Sequence, residues 1–145
     1  MTLTHVNFAK GFRGGERQTL LLIQELSKKG YTQYYFGRKN SELAKRLEGT
    51  ANLTIMEISK PYILSLYKIK NSTILHAHET KAAQFCYFAN LFLKIPYIIT
   101  RRVDNPIKNN RFNQSIYTKS CKTVVLSNAI KNETLKISQN IGIEI

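Results

Sequence analysis

Acidic residues are scarce in this chain: nine aspartates and glutamates stand against 22 lysines and arginines in 145 residues, leaving a formal net charge of +13. Such an excess opposes compaction and attracts polyanions, so an anionic partner or surface is expected. Cysteine is scarce too. Cys86 and Cys121 are far apart and unpatterned, which excludes a disulfide framework or a thiolate zinc site and predicts two reduced, buried thiols. No apolar run approaches the roughly 20 residues that span a bilayer. Met1 leads at once into Thr2 and strand-like sequence with no basic-then-apolar leader, so a soluble, cytoplasmic protein is the expectation. Basic residues are scattered along the whole chain, with no aromatic RNP motif and no basic helix carrying a dimerisation heptad, which argues against nucleic acid as the partner. The length suits about one domain with a real core.

What is present is an alternation of short apolar strands and amphipathic helices. Leu3 to Phe8 reads as a buried strand and Arg17 to Lys29 as a helix with Leu22, Ile23 and Leu26 inward; Gly30 closes it, and Thr32 to Phe36 is the second strand. Ser41 caps a short helix through Glu48, and Leu53 to Ile58 is the third strand. Pro61 opens a basic amphipathic segment with Tyr62, Ile63, Leu66 and Ile69 on one side and Lys60, Lys68 and Lys70 on the other. It suits a surface helix covering the sheet, or docking on an anionic membrane. Thr73 to Ala77, Tyr97 to Thr100 and Thr123 to Leu126 continue the strands; Lys81 to Leu93, apolar almost all round, is expected to be the most buried helix, and Ser127 caps the last one.

Near-continuous apolar strands alternating with helices are the pattern of a parallel sheet covered on both faces. The fold class predicted is α/β, a Rossmann-like doubly wound, three-layer α/β/α domain with six or more strands in the order 3-2-1-4-5-6. Ligands of such sheets bind beyond the carboxyl ends of the strands, where the strand order reverses. The residues following strands one, four and five therefore belong to one cleft: Gly14-Gly15-Glu16, His76-Ala77-His78-Glu79 and Arg101-Arg102-Val103-Asp104.

Each set has its own chemistry. Adjacent glycines before a helix let backbone N–H groups approach an anion or a sugar hydroxyl, although a plain strand-to-helix turn reads the same way. His76 and His78 point to one side while the strand persists. A metal needs a third and a fourth ligand, and Glu79 falls on the opposite face; one packed histidine with the other reaching the cleft, or both in the core, are the other readings. Arginine offers a planar fork for phosphate or carboxylate, so Arg101 and Arg102 suit an anion at the strand end, with pairing to Asp104 as the structural alternative. Asn105 to Arg111 reads as a polar loop.

Taken together, Phe12-Arg13-Gly14-Gly15-Glu16-Arg17, Ile74-Leu75-His76-Ala77-His78-Glu79, Pro96-Tyr97-Ile98-Ile99-Thr100 and Val124-Val125-Leu126-Ser127 resemble, in order and spacing, the N-terminal domain of family 4 glycosyltransferases of the GT-B fold. Thr100-Arg101-Arg102-Val103-Asp104 looks like the bacterial subset acting on lipopolysaccharide or related envelope glycans. The resemblance implies transfer of a sugar from a nucleotide-sugar donor to a glycan or glycolipid acceptor, with no metal or other cofactor. It makes residues 1–145 the acceptor-side domain, with the C-terminal donor-binding domain absent from this sequence and the isolated chain inactive. Gly14, Gly15, Glu16, His78, Arg101 and Arg102 are the expected substrate-binding residues, with His78 and Arg102 the catalytic candidates. The histidine that many relatives carry after the fifth strand is replaced here by Thr100-Arg101-Arg102. Localisation follows as cytoplasmic, with peripheral contact at the anionic inner face of the plasma membrane as a further option. Two rival classes stay open: an NADP-type dinucleotide-binding domain, although its G-x-G-x-x-G is missing and Gly37-Arg38-Lys39 replaces the expected acid, and a non-catalytic basic module for membrane or nucleic acid.

Overall fold

A computed structural model describes residues 1–138 and 143–144. Seven strands form one sheet: β1 (Leu3–Asn7), β2 (Gln33–Arg38), β3 (Leu53–Ile58), β4 (Ile74–Ala77), β5 (Tyr97–Arg101), β6 (Lys122–Val125) and β7 (Ile143–Glu144). Their order is 3-2-1-4-5-6-7, with every pairing parallel. This is the doubly wound Rossmann-like topology expected, extended by one strand, and the switch point lies between β1 and β4. The connections are α1 (Gly14–Lys28), α2 (Glu42–Leu47), a 3-10 helix (Tyr62–Ile69), α3 (Thr80–Leu93), α4 (Arg111–Lys119) and α5 (Asn128–Leu135).

Side-chain alternation divides the sheet into two faces. Val6, Phe8, Phe36, Leu75, Ala77, Tyr97 and Ile99 point to one of them, where Ala82, Phe85, Cys86 and Ala89 of α3 and Ile116 and Tyr117 of α4 close a continuous apolar cluster. The 3-10 helix joins through Ile69 and through Tyr62, which stacks on Phe8 at 4.0 Å between ring centroids. α3 contributes more buried residues than any other helix, as its composition predicts. On the opposite face α1 and α2 bring Ile23, Leu43, Ala44 and Leu47 onto Tyr35, Leu53 and Ile55.

Local chemistry sets the element ends. Ser41 accepts the Ala44 N–H, Ser127 the Ile130 N–H and Asn110 the Asn113 N–H, each an N-cap contact. Gly30, at φ 80°, leaves α1 in the left-handed region. Two elements differ from the sequence reading by more than a residue or two at their ends. α1 starts at Gly14 rather than Arg17, because the Glu16 carboxylate accepts the Arg13 N–H at 2.9 Å and stabilises a turn that includes both glycines. Arg111, read as loop, opens α4, which Asn110 caps and which buries Ile116 and Tyr117. The cysteines differ as well: Cys86 is buried and burial pushes its thiol up, whereas Cys121 is exposed in the turn before β6, outside the packed layers.

Candidate functional site

A cleft of about 900 Å³ opens at the carboxyl ends of β1, β4 and β5, lined among others by Gly14, Gly15, Glu16, His78, Arg101 and Arg102. All six residues read from the sequence thus border one cavity, at the switch point where parallel α/β sheets hold ligands.

Arg102 is its centre. One Nη1 hydrogen goes to the Thr19 hydroxyl at 3.1 Å and the other to the His78 carbonyl at 3.2 Å, while Nη2 reaches His78 Nδ1 at 3.1 Å. The Thr19 hydroxyl in turn donates to the Gly15 carbonyl at 3.0 Å. The Arg102 side chain therefore lies against the first turn of α1, with Cδ only 3.4 Å from where a Cβ on Gly15 would stand. A Cβ there would just touch the Arg102 side chain, so a residue larger than alanine would press on it. Asp104, the alternative partner, is exposed, and the bonds of Arg102 go to Thr19 and His78 instead. Burial lowers the Arg102 pKa from its ordinary value, and the Glu16 carboxylate opposes that shift.

Arg101 differs from its neighbour because alternation turns it to the other face. It is buried, donates to the Tyr117 hydroxyl at 3.3 Å and to the Asn105 carbonyl, and so ties the loop after β5 to α4. Glu79 likewise has a structural task. Its carboxylate accepts N–H groups from Phe8, Lys81 and Ala82 at 2.7 to 3.1 Å, joining the end of β1 to the start of α3. Burial raises its pKa, and those three backbone contacts pull the other way.

Both histidines of the fourth strand are buried, and a third, His5 on β1, joins them. The register pairs His5 with His76 directly, and ring centroids of the three lie 4.0 to 5.8 Å apart. His76 Nε2 bonds to the Thr100 hydroxyl at 2.7 Å; His78 Nε2 meets His5 Nδ1 at 3.0 Å; His5 Nε2 meets Gln33 Oε1 at 2.9 Å. Desolvation pushes His5 down to about 4 against the pull of its Gln33 bond, and drives His76 and His78 well below the usual histidine range, with the neighbouring rings and Arg102 adding to the effect. All three are neutral near pH 7.

One ring nitrogen from each histidine lies within 4.8 Å of the others, a spacing that three ligands of one metal ion also show. The surrounding donors oppose that use. A metal on His78 Nε2 would require a proton on Nδ1, which would then face the Arg102 N–H at 3.1 Å, donor against donor beside a fixed cation.

Among the described residues, the buried side-chain polar atoms with no partner are Asn7 Nδ2, Arg101 Nε and Arg102 Nε. All three are donors, and all sit at the carboxyl ends of β1 and β5. Sequence reasoning missed Asn7, along with His5, Gln33 and Thr19. The available signal was two polar residues alternating within an apolar strand, His5 and Asn7 on either side of Val6, which marks one face at the end of β1 as polar.

No protein-family model and no curated protein matches the sequence. Solved structures do resemble it. HepE of Anabaena, determined with UDP and with UDP-glucose, matches at TM-score 0.74 and 9% identity, over 99% of this chain and 43% of that one. The lipopolysaccharide outer core galactosyltransferase WaaB matches at TM-score 0.67 and 13% identity, over 100% and 45%. MurG of Acinetobacter baumannii follows at 0.65 and 15%, over 88% and 42%. The chain has the Rossmann-like fold found in these GT-B glycosyltransferases, and it spans less than half the length of each. No helix among the described residues is long and apolar enough to cross a membrane.

Proposed function

We propose that this chain is the acceptor-side, N-terminal domain of a glycosyltransferase that moves a sugar from a nucleotide-sugar donor to an envelope glycan or glycolipid such as lipopolysaccharide. The observation that carries this reading is the unmet buried donor of Arg102, its Nε, held against the first turn of α1 in the cleft at the ends of β1, β4 and β5. A buried donor without a partner costs about 1 to 3 kcal/mol, which a ligand rich in acceptor oxygens recovers. Phosphorylated sugars are such ligands.

The residues then take distinct roles. Arg102 is the anion ligand, giving the N–H groups that Thr19 and His78 leave free. Glu16, which lines the cleft, accepts a sugar hydroxyl. The N–H groups of Gly14 and Gly15 add positive potential. His78, with both ring nitrogens engaged, holds Arg102 rather than touching substrate. The donor nucleotide is bound chiefly by a second domain, so this chain alone transfers no sugar; catalysis requires both substrates held together.

The dinucleotide-binding alternative finds less support. No residue of β2 lines the cleft, although the end of that strand is where a Rossmann domain holds the ribose phosphate of NADP. A Cβ on Gly37 would lie 2.4 Å from the Tyr35 ring, so that space is already filled.

Isothermal titration of the chain with a phosphorylated lipopolysaccharide core oligosaccharide, NADPH and a short DNA duplex tests the proposal. Saturable binding of the oligosaccharide, weakened about ten-fold or more by Arg102→Ala with the fold intact, is expected. Tight NADPH binding, or DNA binding indifferent to Arg102, overturns it. Leu64 and Tyr67 stand exposed on the 3-10 helix beside Lys60, Lys68 and Lys70, a surface suited to the anionic membrane that would carry a glycolipid acceptor. Flotation with phosphatidylglycerol vesicles, lost in Leu64→Ser/Tyr67→Ser, checks that part.

A further inference from the structure

We infer that Gln33, His5 and His78 form one directional hydrogen-bond chain whose purpose is to hold the Arg102 guanidinium at the glycine turn, making His5 and Gln33 positioning residues for the anion ligand. This rests on the reading of Arg102 as that ligand.

The direction follows from the two ends, whose roles chemistry fixes. Arginine can only donate, so His78 Nδ1, 3.1 Å from Arg102 Nη2, must be the unprotonated nitrogen. A neutral His78 then carries its proton on Nε2 and donates it to His5 Nδ1 at 3.0 Å. His5 accepts there, so its own proton is on Nε2 and goes to Gln33 Oε1 at 2.9 Å. At the far end a backbone carbonyl can only accept. Gln33 Nε2 must therefore donate to the Ile23 carbonyl at 3.0 Å, which turns Gln33 Oε1 toward His5. Assignments made from opposite ends agree at every link, and no donor faces a donor.

The chain crosses three neighbouring strands and is anchored at both ends on one helix. It runs from α1 at Ile23, through β2, β1 and β4, to Arg102 just past β5, which returns to α1 at Thr19. It is a closed frame that begins and ends on the helix whose first turn borders the cleft. Burial is nearly complete along it, since His5 and Gln33 are fully buried and His78 almost so. In such a setting partly met polar groups are costly and fully met ones rigidify. A guanidinium so held keeps its orientation without a ligand, which cuts the ordering cost of binding.

The inference makes residue 33 felt at a ring it does not touch. Replacing Gln33 with the similarly shaped methionine leaves His5 Nε2–H unmet. Inverting the chain would relieve that, but it turns a His78 Nδ1–H against Arg102. All three histidines of the protein lie here, so long-range ¹H–¹⁵N spectra of ¹⁵N-histidine protein read the tautomers without overlap. In the wild-type chain at pH 7.5, His5 and His78 are expected neutral with the proton on Nε2. In Gln33→Met, His78 is expected to show mixed tautomers, and inorganic pyrophosphate to bind roughly five- to ten-fold more weakly. A wild-type His78 protonated on Nδ1 overturns the inference whatever the variant does. So does Gln33→Met with unchanged tautomers and unchanged pyrophosphate affinity. Pyrophosphate that fails to bind the wild-type chain at all overturns instead the anion-cleft reading, and with it the purpose assigned to the frame.

Discussion

The two faces of the central sheet are built on opposite principles. On the face under α3 the strands present Val6, Phe8, Phe36, Leu75, Ala77, Tyr97 and Ile99, and the helix answers with apolar side chains. Contact there is non-directional, and its strength follows area removed from water. On the face under α1 the outer strands β2 and β3 are apolar beyond Gln33, but the central strands carry His5, His76, His78 and Thr100, ending at Arg102. Contact there is directional, and each group depends on its neighbour having the complementary role. The apolar face holds the sheet together; the polar face aims a charge at the end of it. Volume changes should damage the first, and changes of proton or donor the second.

The largest effect is expected from a cavity on the apolar face. Phe36 is fully buried between the rings of Phe8 and Phe85, at 6.2 and 5.2 Å. Phe36→Ala should cost about 3 to 5 kcal/mol in urea unfolding. A loss under 1 kcal/mol would mean that the two faces do not divide the work in this way.

Next is acid. A folded-state pKa of about 4 for His5, against 6.5 when unfolded, means that between those values the unfolded chain binds protons the fold refuses. Stability is then full above pH 6.5 and declines as pH falls toward 4, by about 3 kcal/mol for this one group. His76 and His78 shift in the same direction and belong to the same cluster, so the effects do not simply add. Unfolding midpoints at pH 7.5 and 5.0 should differ with that sign. A flat profile from 7.5 to 5 would show that the cluster can be protonated in place, and the contrast between the faces would lose its electrostatic half.

That contrast was only half legible in the sequence. The strand order, the buried α3 and the gathering of Gly14, Gly15, Glu16, His78 and Arg102 at one switch point follow from periodicity and the parallel-sheet rule, which need only local pattern. His5 and Gln33 did not stand out, because each is a lone polar residue in a strand and its meaning lies in register. His5 opposes His76, and Gln33 touches His5 from the next strand, and pairing across strands is long-range information. Arg101 and Arg102 are neighbours in sequence with one chemistry, yet alternation at the end of β5 sends one to brace α4 and the other to the first turn of α1. The helix α4 was hidden by its length and by the polar stretch before it.

A milder change tests the polar face without charge. Thr100→Val keeps the shape but removes the hydroxyl bonded to His76 Nε2 at 2.7 Å. A buried ring nitrogen left unpaired should cost about 1 to 3 kcal/mol, whereas the same loss of one methyl-sized group on the apolar face is commonly near 1. Thermal unfolding of Thr100→Val beside Ile99→Val compares adjacent residues that point to opposite faces. Equal small losses from both would show that directional pairing adds nothing at this site.

The smallest change in stability, and the sharpest in function, should come from the two glycines that open α1. A Cβ on Gly14 meets nothing within 4 Å, whereas one on Gly15 touches Arg102 Cδ at 3.4 Å. Gly14→Ala should therefore be neutral or stabilising by up to about 1 kcal/mol, through the lower backbone entropy of the unfolded chain, and should leave pyrophosphate affinity unchanged. Gly15→Leu puts branches beyond that first contact. The Arg102 side chain has to move, and its bonds to Thr19 and His78 are broken while the apolar face and the helix remain. A several-fold loss of pyrophosphate affinity with a shift in melting temperature of only a few degrees is the expected result, read by titration and thermal unfolding of the same two variants. If both glycines tolerate their substitutions equally, Arg102 does not depend on the close approach, and the polar face would aim its charge by the histidine frame alone.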